Sequence, residues 1–588
     1  MSRNKQKLEL TWIGKEKCPR LEPRILLEDP EKSYHAKERV TENDIFDNKL
    51  IFGDNLLALK ALEAEYAGQV KCIYIDPPYN TGNAFDHYED GLENSIWLSL
   101  MRDRLELLWT LLTDDGYLAI QIDDNQYARL YVLMCELFGE NKLKTICVKM
   151  SEPSGLKMGS VNKYGVIPKL KEYIIIAKKD GVKNIKLDPV PKDKWDTEYN
   201  IFLENFSRED KQKIDDVSSS ESISDSDLHE LDIIAQKVQL SSVAQKVKEL
   251  GLTGKTKEQW LFENAFRICQ CATSASVLKL AEEKKKQCDQ EVFFVSNAKK
   301  DILYMVRATY STESKKPRVQ LIFAEDNLTT HPGDLWTDIR TTGLEAEGGV
   351  EFKNGKKPEQ LVARIVKMGT KEGDIVLDSF GGSGTTAAVA HKMKRRWVMV
   401  ELGEQCHTHI IPRLTNVINQ KDPAGITKIS EWKGGGGFRY YRLAPSMLEK
   451  DKWGNWVISK DYNAGMLTEA MCKHMGFTYA PDESHYWMHG HSTETDFIYV
   501  TTSSLTHEQL RAISEEVGPN RTLLICCKAF NANAEAFDNL TLKKIPRAVL
   551  TKCEWGKDDY SLNVAKLQPA ESDDLAEPDL FNEESEEV

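Results

Sequence analysis

Two short apolar runs, far apart in the sequence, each end in an aspartate that is followed at once by a tight loop. The first is Cys72–Ile75, which continues into Asp76-Pro77-Pro78-Tyr79-Asn80-Thr81-Gly82. The second is Val376-Leu377, which continues into Asp378-Ser379-Phe380-Gly381-Gly382-Ser383-Gly384. Because similar apolar runs alternate with helical patterns along residues 49–140 and 357–420, the sequence predicts a parallel sheet with right-handed crossovers, in an α/β fold.

A turn is expected inside the first of these stretches. A helical pattern covers 96–112, and the segment Thr113-Asp114-Asp115-Gly116 that follows it has the composition of a turn. The next apolar run is Tyr117–Ile122. The sequence therefore predicts that the helix ends near residue 112 and that the strand begins at residue 117.

The chain of 588 residues is too long for one hydrophobic core and is predicted to divide into several domains. The α/β pattern breaks off near residue 190, gives way to a serine-rich segment, helical patterns and short strands, and resumes near residue 333. Glycines at 434–437 mark a further joint. The predicted parts are an N-terminal arm at 1–48, two α/β halves at 49–190 and 333–430, an α+β insert at 191–332, a C-terminal α/β domain at 438–566 and a disordered acidic tail at 567–588.

The distribution of charge matters more than its sum. A net charge of −14 argues against a nucleic-acid partner, but residues 571–588 carry nine acids and no base. Residues 142–194 carry thirteen lysines against five acids, and such a cluster can neutralise phosphates whatever the global sum. A solvated basic face is the alternative interpretation. The lysines assigned to phosphate contact are Lys149, Lys157, Lys163 and Lys169.

Neither a membrane nor an oxidising compartment is indicated. No window approaches the ~18 consecutive apolar residues of a membrane span, and Met1–Lys7 leads into no long apolar run of the kind found in a secretory signal. The twelve cysteines are scattered and form no Cys-x-x-Cys pair. The sequence predicts a cytoplasmic protein with reduced thiols, without a zinc site and without membrane association.

The segment Asp76–Tyr79 has the composition of a site that grips an amino group on a flat base. The exocyclic amine of adenine is a poor nucleophile, because its lone pair is delocalised into the ring. A carboxylate from Asp76 and the carbonyl of Pro77 could both accept its hydrogens, and consecutive prolines hold the backbone extended. Tyr79 offers a face on which a flipped-out base can stack. A turn that merely closes a strand is the structural alternative.

The loop after the second aspartate has the form of a cofactor site. Phe380, Gly382 and Gly384 make a pattern that lets the backbone approach a ligand closely, and a helix is predicted at Thr385–Met393. Glu401 ends the next strand, 23 residues after the aspartate, which is the spacing of an acid that binds ribose hydroxyls in dinucleotide folds. No Gly-Lys-Ser/Thr follows, so a triphosphate-binding loop is excluded. An oxidoreductase dinucleotide site remains an alternative for this loop alone.

Together these motifs resemble the β-class amino methyltransferases, specifically the modification subunits of type III restriction–modification systems. The resemblance implies a permuted Rossmann-like sheet whose target-recognition domain is inserted between a catalytic half at 49–190 and a cofactor-binding half at 333–430. It also implies methyl transfer from S-adenosylmethionine to N6 of adenine in duplex DNA, no metal and a homodimer. A restriction partner with helicase and nuclease activity would be a separate chain, and a solitary regulatory methyltransferase is the alternative. The segments that carry it are 52–60, 73–82, 97–101, 121–125, 348–352 with 357–359, and 378–386.

The resemblance also assigns site residues. Asp54 is expected near the adenine of S-adenosylmethionine, and Lys357-Pro358 at its methionine end. Glu401 is expected at the ribose. The cofactor loop is expected to comprise Asp378, Phe380, Gly382, Gly384 and Thr385, and Asn80 and Thr81 are expected to shape the wall of the base pocket.

Several alternatives stay open. Methylation of cytosine N4 uses the same fold, but those relatives more often carry serine at the position of Asp76, and glutamine-modifying relatives carry asparagine there. A specificity or scaffold subunit without catalysis is a rival from another class, although both loops are intact. His407 and His409 beside Cys406 could suggest a metal, but they lack an acid or cysteine at ligand spacing. Asp123-Asp124 could suggest magnesium, and a cap for the following helix is the preferred interpretation.

Overall fold

The computed structural model describes residues 9–561 except 80–93, 153–164, 166, 183–184, 193, 221, 287–289, 298–301, 311–313, 315 and 353–354. The chain divides into two units, one formed by 1–187 with 333–588 and the other by 188–332. The sequence placed the insert at 191–332. Among the described residues, no helix is long and apolar enough to cross a membrane.

The first unit is organised around a sheet of eleven described strands. Six neighbouring strands at its centre are all parallel, and the strand that carries the second aspartate lies between strands that precede and follow it in the chain. This is the permuted arrangement that the resemblance implies, and the α/β class predicted from the sequence is confirmed. In order across the sheet the strands are Leu26–Glu28, Gly437–Leu443, Asn48–Phe52, Arg396–Glu401, Ile375–Asp378, Val70–Ile75, Leu112–Ile122, Lys171–Lys178, Leu143–Lys149 and Leu335–Trp336, with Tyr34–His35 paired to Gly437–Leu443.

Helices cover both faces of this sheet, because its central strands are apolar on both sides. In Val70–Ile75, Ile73 and Ile75 belong to one core, while Cys72 and Tyr74 belong to the other. The helices on the first face are Asn55–Tyr66, Asn94–Leu111 and Asp124–Phe138. Those on the second face are Glu359–Lys367, Thr385–Lys392 and Ile411–Ile418, with a π-helical turn at Cys406–Ile410.

The turn predicted at residues 113–116 is wrong, since these residues lie within the strand Leu112–Ile122. Its backbone is hydrogen-bonded to the continuation of the neighbouring antiparallel strand. Lys179 N–H donates to the Gly116 carbonyl at 3.0 Å, and Gly181 N–H donates to the Asp114 carbonyl at 2.9 Å. Long-range pairing therefore overrides a local composition that is typical of a turn.

The first residues assigned to a separate C-terminal domain instead belong to the main sheet. Gly437–Leu443 is parallel to Asn48–Phe52 and antiparallel to Leu26–Glu28 from the predicted arm. Phe438 and Tyr440 on this strand are buried in the core of the sheet. The turn into the strand uses glycines 434, 435 and 436 at φ of 84°, 101° and 73°, values that other residues rarely adopt.

The rest of the first unit, after residue 443, builds a smaller α/β sheet with its own apolar clusters. Its strands, in order across the sheet, are Thr478–Tyr479, Gly490–His491, Asp496–Val500, Thr522–Cys527 and Leu540–Lys544, and its helices are Ala464–Met475 and His507–Val517. Two short pairs accompany it, Leu448–Lys450 with Trp456–Ile458 and Ser504–Thr506 with Ala529–Asn531.

The second unit is an α+β body with an antiparallel sheet. Its described sheet strands, in order, are Gln239–Ser242, Ile201–Glu204, Ile268–Thr273, Arg318–Phe323, Ile302–Arg307 and Val292–Asn297. The helices are Arg208–Ser218, Asp225–Lys237, Val243–Glu249, Gly254–Glu263 and Ala275–Lys285. A short pair joins Val190–Pro191 to Thr329–Thr330.

Candidate active site

Four acidic residues stand at one edge of the main sheet, where neighbouring parallel strands end. Asp378 and Glu401 are the last residues of their strands, Asp76 follows its strand directly, and Asp54 comes two residues after its strand. Side chains at the carboxyl ends of parallel strands meet at the same edge, which is where ligands of open α/β sheets bind. The structure therefore brings both sequence motifs to one place.

The carboxylate of Asp76 lies in a cluster of polar side chains. The Tyr79 hydroxyl is 2.6 Å from Asp76 Oδ1, and Lys357 Nζ is 3.3 Å from Asp76 Oδ2. Lys357 Nζ also donates to the Tyr79 oxygen at 2.7 Å and to Glu172 Oε2 at 3.0 Å. The side chain of Asp76 is 23% exposed, so the cluster is largely but not completely shielded from water.

Burial and neighbouring charges set the ionisation of this cluster. Burial raises the pKa of Asp76 to about 6, Lys357 opposes that shift, and Glu172 adds to it. Burial also disfavours the charged form of Glu172, but Lys357 and Gln121 hold its pKa below the ordinary value. Burial works against the ammonium of Lys357, yet Asp76 and Glu172 raise its pKa. At neutral pH the arrangement is one ammonium between two carboxylates.

The two prolines fix the backbone on which Asp76 and Tyr79 stand. Pro77 is buried, and the carbonyl of Pro78 accepts a hydrogen bond of 2.8 Å from Trp97 Nε1. Trp97 is fully buried on the helix that covers this face of the sheet. A rigid backbone here keeps the acceptors of the segment in a constant orientation.

The loop at residues 379–384, called the glycine loop below, is held in its conformation by hydrogen bonds to two acidic side chains. Asp378 accepts hydrogen bonds from Phe380 N–H at 2.9 Å and from Thr386 Oγ1 at 2.6 Å, while burial raises its pKa to about 8. Glu401 Oε2 accepts from Gly382 N–H at 2.6 Å. Gly384 has φ of 77°, in the left-handed region, and precedes the helix Thr385–Lys392. A Cβ at Gly384 would lie 3.2 Å from a neighbouring side chain, so the turn has little room for any residue but glycine.

Lys357 joins the glycine loop to the Asp76 cluster. Its ammonium contacts Asp76, and its backbone carbonyl accepts a hydrogen bond of 3.3 Å from Thr385 Oγ1. Pro358 follows as the buried N-cap residue of the helix Glu359–Lys367. One short segment therefore touches both predicted sites.

A buried ionic network lies behind the glycine loop. Arg413 Nη1 donates to the Ser383 carbonyl at 3.2 Å and to Thr385 Oγ1 at 2.8 Å, and Arg413 Nη2 contacts Glu359 Oε1 at 2.9 Å. Lys392 Nζ is 2.7 Å from Glu359 Oε2. Burial disfavours ionised Glu359, but Arg413 and Lys392 hold its pKa below the ordinary value. This network fixes the start of the helix that follows the loop.

Asp54 is buried beside the same loop. Its Oδ1 accepts from Leu57 N–H at 3.0 Å, and its Oδ2 accepts from the backbone N–H of Tyr560 at 3.0 Å. Arg104 Nη2 is 3.4 Å from Oδ2. The neighbouring Asn55 donates through Nδ2 to the Ser379 carbonyl at 2.7 Å. Asn55 therefore contacts the glycine loop, while Asp54 contacts the end of the described chain.

The lysines assigned to phosphate contact have partners where they are described. Lys149 Nζ lies 2.7 Å from Glu152 Oε2, and Lys169 forms an ion pair with the buried carboxylate of Asp123. Lys169 Nζ is also 5.8 Å from the centre of the Tyr79 ring, so this lysine borders the Asp76 cluster. Four assigned residues lie outside the described part of the chain, namely Asn80, Thr81, Lys157 and Lys163.

The alternative metal sites have other structural roles. Asp123 accepts a hydrogen bond of 3.0 Å from Asn125 N–H and caps the helix Asp124–Phe138, so its predicted capping role is confirmed. His407 Nε2 is 2.8 Å from the Tyr440 hydroxyl, and His409 Nε2 is 3.0 Å from the Glu351 carbonyl. Within the described residues, no group of three or more histidines, cysteines and acids is placed to hold a metal ion.

Sequence reasoning missed Glu172, which is central to the cluster. Lys171–Lys178 is antiparallel to Leu112–Ile122, so the beginning of this strand lies at the edge where the parallel strands end. A charged residue at the start of a buried strand is the sequence signal that could have indicated it. Arg104, Arg413 and Tyr560 carried no comparable signal.

Comparisons with known proteins agree with the motifs. A family model described as DNA methylase, N6_N4_Mtase, matches residues 70–412. The "Probable type III restriction-modification enzyme HindVI Mod subunit" of Haemophilus influenzae is 34% identical over 424 residues, covering 68% of this chain and 54% of that protein. The "Type III restriction-modification enzyme EcoPI Mod subunit" of Escherichia phage P1 is 27% identical over 463 residues, covering 71% and 65%. The chain therefore spans between about half and two thirds of the length of these two relatives.

A solved structure of PvuII DNA methyltransferase (cytosine-N4-specific) aligns with 68% of this chain and 98% of that chain. The identity is 13% and the TM-score is 0.32, which is too distant a likeness to bear on substrate or mechanism.

Proposed function

The chain belongs to the DNA methylase family, and from this membership and the geometry at the sheet edge we propose that it transfers a methyl group from S-adenosylmethionine to N6 of adenine in duplex DNA. The observation that carries the proposal is the junction at Lys357. Its ammonium lies 3.3 Å from Asp76, and its backbone carbonyl accepts from Thr385 beside the glycine loop. An amine bound at Asp76 and a cofactor bound at the loop would therefore be neighbours.

Asp76 activates the amine in this proposal. Its carboxylate and the Pro77 carbonyl accept the two hydrogens of the exocyclic nitrogen, which directs the lone pair out of the ring plane. Tyr79 stacks on the flipped base, a contact worth ~1–3 kcal/mol. The new bond forms between that nitrogen and the methyl carbon, the bond from the methyl carbon to sulfur breaks, and the proton lost from nitrogen passes to Asp76 or to water. Holding both reactants in line supplies much of the rate enhancement.

The residues at the glycine loop fit S-adenosylmethionine, which supplies an electrophilic methyl group when it is bound. The fit rests on the left-handed Gly384, on two acidic side chains at adjacent strand ends, and on the buried Ser379 Oγ, which has no hydrogen-bond partner among the described residues. Asp54 would hold the adenine and Glu401 the ribose. Lys357-Pro358 would lie at the methionine end, and the loop itself would comprise Asp378, Phe380, Gly382, Gly384 and Thr385.

DNA is the proposed partner of the same edge. Lys169 borders the base site, and Lys149 lies opposite Lys171 at the start of the strand that carries Glu172. Both would exchange their carboxylate partners for phosphates. Lys157 and Lys163 would extend this contact, Asn80 and Thr81 would shape the pocket wall, and residues 188–332 would read the sequence. Because the two relatives are named as Mod subunits of type III restriction-modification enzymes, we also propose that the chain works with a separate restriction subunit. A homodimer is proposed from the family resemblance of the motifs alone.

A methyl-transfer assay tests the reaction. Purified chain is incubated with tritiated S-adenosylmethionine and methylation-free DNA, and the DNA is digested to nucleosides. The proposal predicts label in N6-methyladenine, its loss in Asp76→Ala, and its retention in Asp115→Ala, whose carboxylate is 57% exposed beside Lys71. Label in N4-methylcytosine would overturn the base assignment and keep the family. Label that survives in Asp76→Ala would overturn the assigned role of Asp76.

A further inference from the structure

The Tyr79 hydroxyl lies between two carboxylates. It is 2.6 Å from Asp76 Oδ1 and 2.9 Å from Glu172 Oε2, while its oxygen accepts a hydrogen bond of 2.7 Å from Lys357 Nζ. A phenol has a single proton, so it can donate fully to only one of the two carboxylates at a time. The two distances describe alternative hydrogen bonds of one hydroxyl.

In this structure both oxygens of Asp76 already have partners. Oδ1 faces Tyr79, and Oδ2 faces Lys357 at 3.3 Å. An amine that donated to Oδ1 would have to share that oxygen with the proton of the hydroxyl. Tyr79 therefore competes with the substrate for Asp76, although its ring is the surface on which the base is proposed to stack.

Glu172 offers the hydroxyl another acceptor. Its carboxylate is held by Lys357 Nζ at 3.0 Å and by Gln121 Nε2, and 15% of its side chain is exposed. Gln121 is in turn fixed by the hydroxyl of the buried Tyr74. The acceptor is thus rigid, ionised and already within hydrogen-bond distance of the Tyr79 hydroxyl.

We propose that the Tyr79 hydroxyl donates its hydrogen bond to Asp76 when no base is bound. When the amine enters, the hydroxyl donates to Glu172 instead, which makes Glu172 a positioning residue. The inference rests on the proposed function, since it takes Asp76 as the acceptor of the target amine. A buried hydroxyl left without an acceptor destabilises the complex. Glu172 removes that cost and lets the Tyr79 ring stay in place for stacking.

The test is a double-mutant cycle on the full chain, with a duplex bearing the sequence that wild-type protein methylates. In Glu172→Leu, Asp76 is the one remaining carboxylate to which the Tyr79 hydroxyl can donate. The KM for DNA should therefore rise about tenfold, equivalent to about 1.4 kcal/mol. Tyr79→Phe removes the competing hydroxyl but keeps the ring, and its own KM for DNA is the reference for the double variant. Added to Glu172→Leu, it should bring the raised KM back toward that value.

Glu172→Gln serves as the conservative variant, because it keeps an acceptor oxygen at nearly the same place. Its KM for DNA should stay within about threefold of wild type, and it decides the question if Glu172→Leu does not fold. The proposal is overturned if the double variant has a KM as high as Glu172→Leu alone, or if Glu172→Gln is as impaired as Glu172→Leu. If wild-type protein methylates no DNA, the proposed function itself fails; methylation without the rescue overturns only the role of Glu172.

Discussion

Replacing Lys357 by methionine should move the acid limb of methylation toward alkaline pH. The rate is expected to follow the ionised fraction of Asp76, whose pKa is raised to about 6 by burial and held down by Lys357. The ammonium lies 3.3 Å from Asp76 Oδ2, and an opposite charge at such a distance typically lowers a carboxyl pKa by about 1–3 units. Without it the midpoint of the limb should rise from near pH 6 to about 7–9.

The size of the shift in the Asp76 pKa can be read from the methylation rate at a single pH. For a shift of about two units, the ionised fraction of Asp76 at pH 7 falls about tenfold, and it recovers above pH 9. Single-turnover methylation rates at saturating S-adenosylmethionine and DNA, measured between pH 5.5 and 9.5, give the midpoint directly. These concentrations separate a change in ionisation from a change in binding.

Lys142→Met is the matched control. Lys142 also forms an ion pair, at 2.9 Å from Asp180, but the carboxylate of Asp180 is 83% exposed and does not belong to the site. The control should keep the wild-type midpoint. If Lys357→Met also keeps it, then either Lys357 does not influence Asp76 or the rate does not follow the ionisation of Asp76, and the account of the cluster is refuted.

Three further predictions concern the supports of the site. Arg413→Leu removes one partner of the buried carboxylate of Glu359, so it should lower the free energy of unfolding by about 3–5 kcal/mol in denaturant titration. The control Arg511→Leu, at an exposed position, should change it by less than about 0.5 kcal/mol. Equal effects would contradict this role of the network. Gly384→Ala places a Cβ 3.2 Å from a neighbouring side chain and should weaken S-adenosylmethionine binding in calorimetry. Gly454→Ala, with a similar φ and open space around it, should leave the affinity unchanged. Unchanged affinity in both variants would show that the loop does not belong to the cofactor site. Lys169→Ala should reduce the salt dependence of DNA binding by about one unit of slope, and an unchanged slope would exclude a phosphate contact.

Much of the sheet edge was predictable because its signals are local. Asp76, Asp378 and Glu401 each follow a short apolar run, and parallel strands place such positions together. The resemblance drawn from these motifs is confirmed by the family match over residues 70–412. The assigned roles of the individual residues stay predictions, since geometry alone places them together without showing what they bind.

The parts of the site and of the main sheet that the sequence did not predict depend on long-range pairing, which local patterns do not encode. Glu172 reaches the site only because its strand runs antiparallel to its neighbour, a direction that apolar periodicity leaves undetermined. The strand Gly437–Leu443 joins the main sheet through partners about 400 residues earlier in the chain. Tyr560 contacts Asp54 across a separation of 506 residues. In each case the partner, rather than the segment itself, decides the structure.

The most direct test of the central claim is single-molecule sequencing of DNA from methylation-deficient cells that express this chain alone. The account predicts N6-methyladenine at one short sequence, and its absence from cells that express Asp76→Ala at the same level. N4-methylcytosine at that sequence would contradict the assignment of adenine. No modified base at all would contradict the claim that this chain carries a complete methylation site.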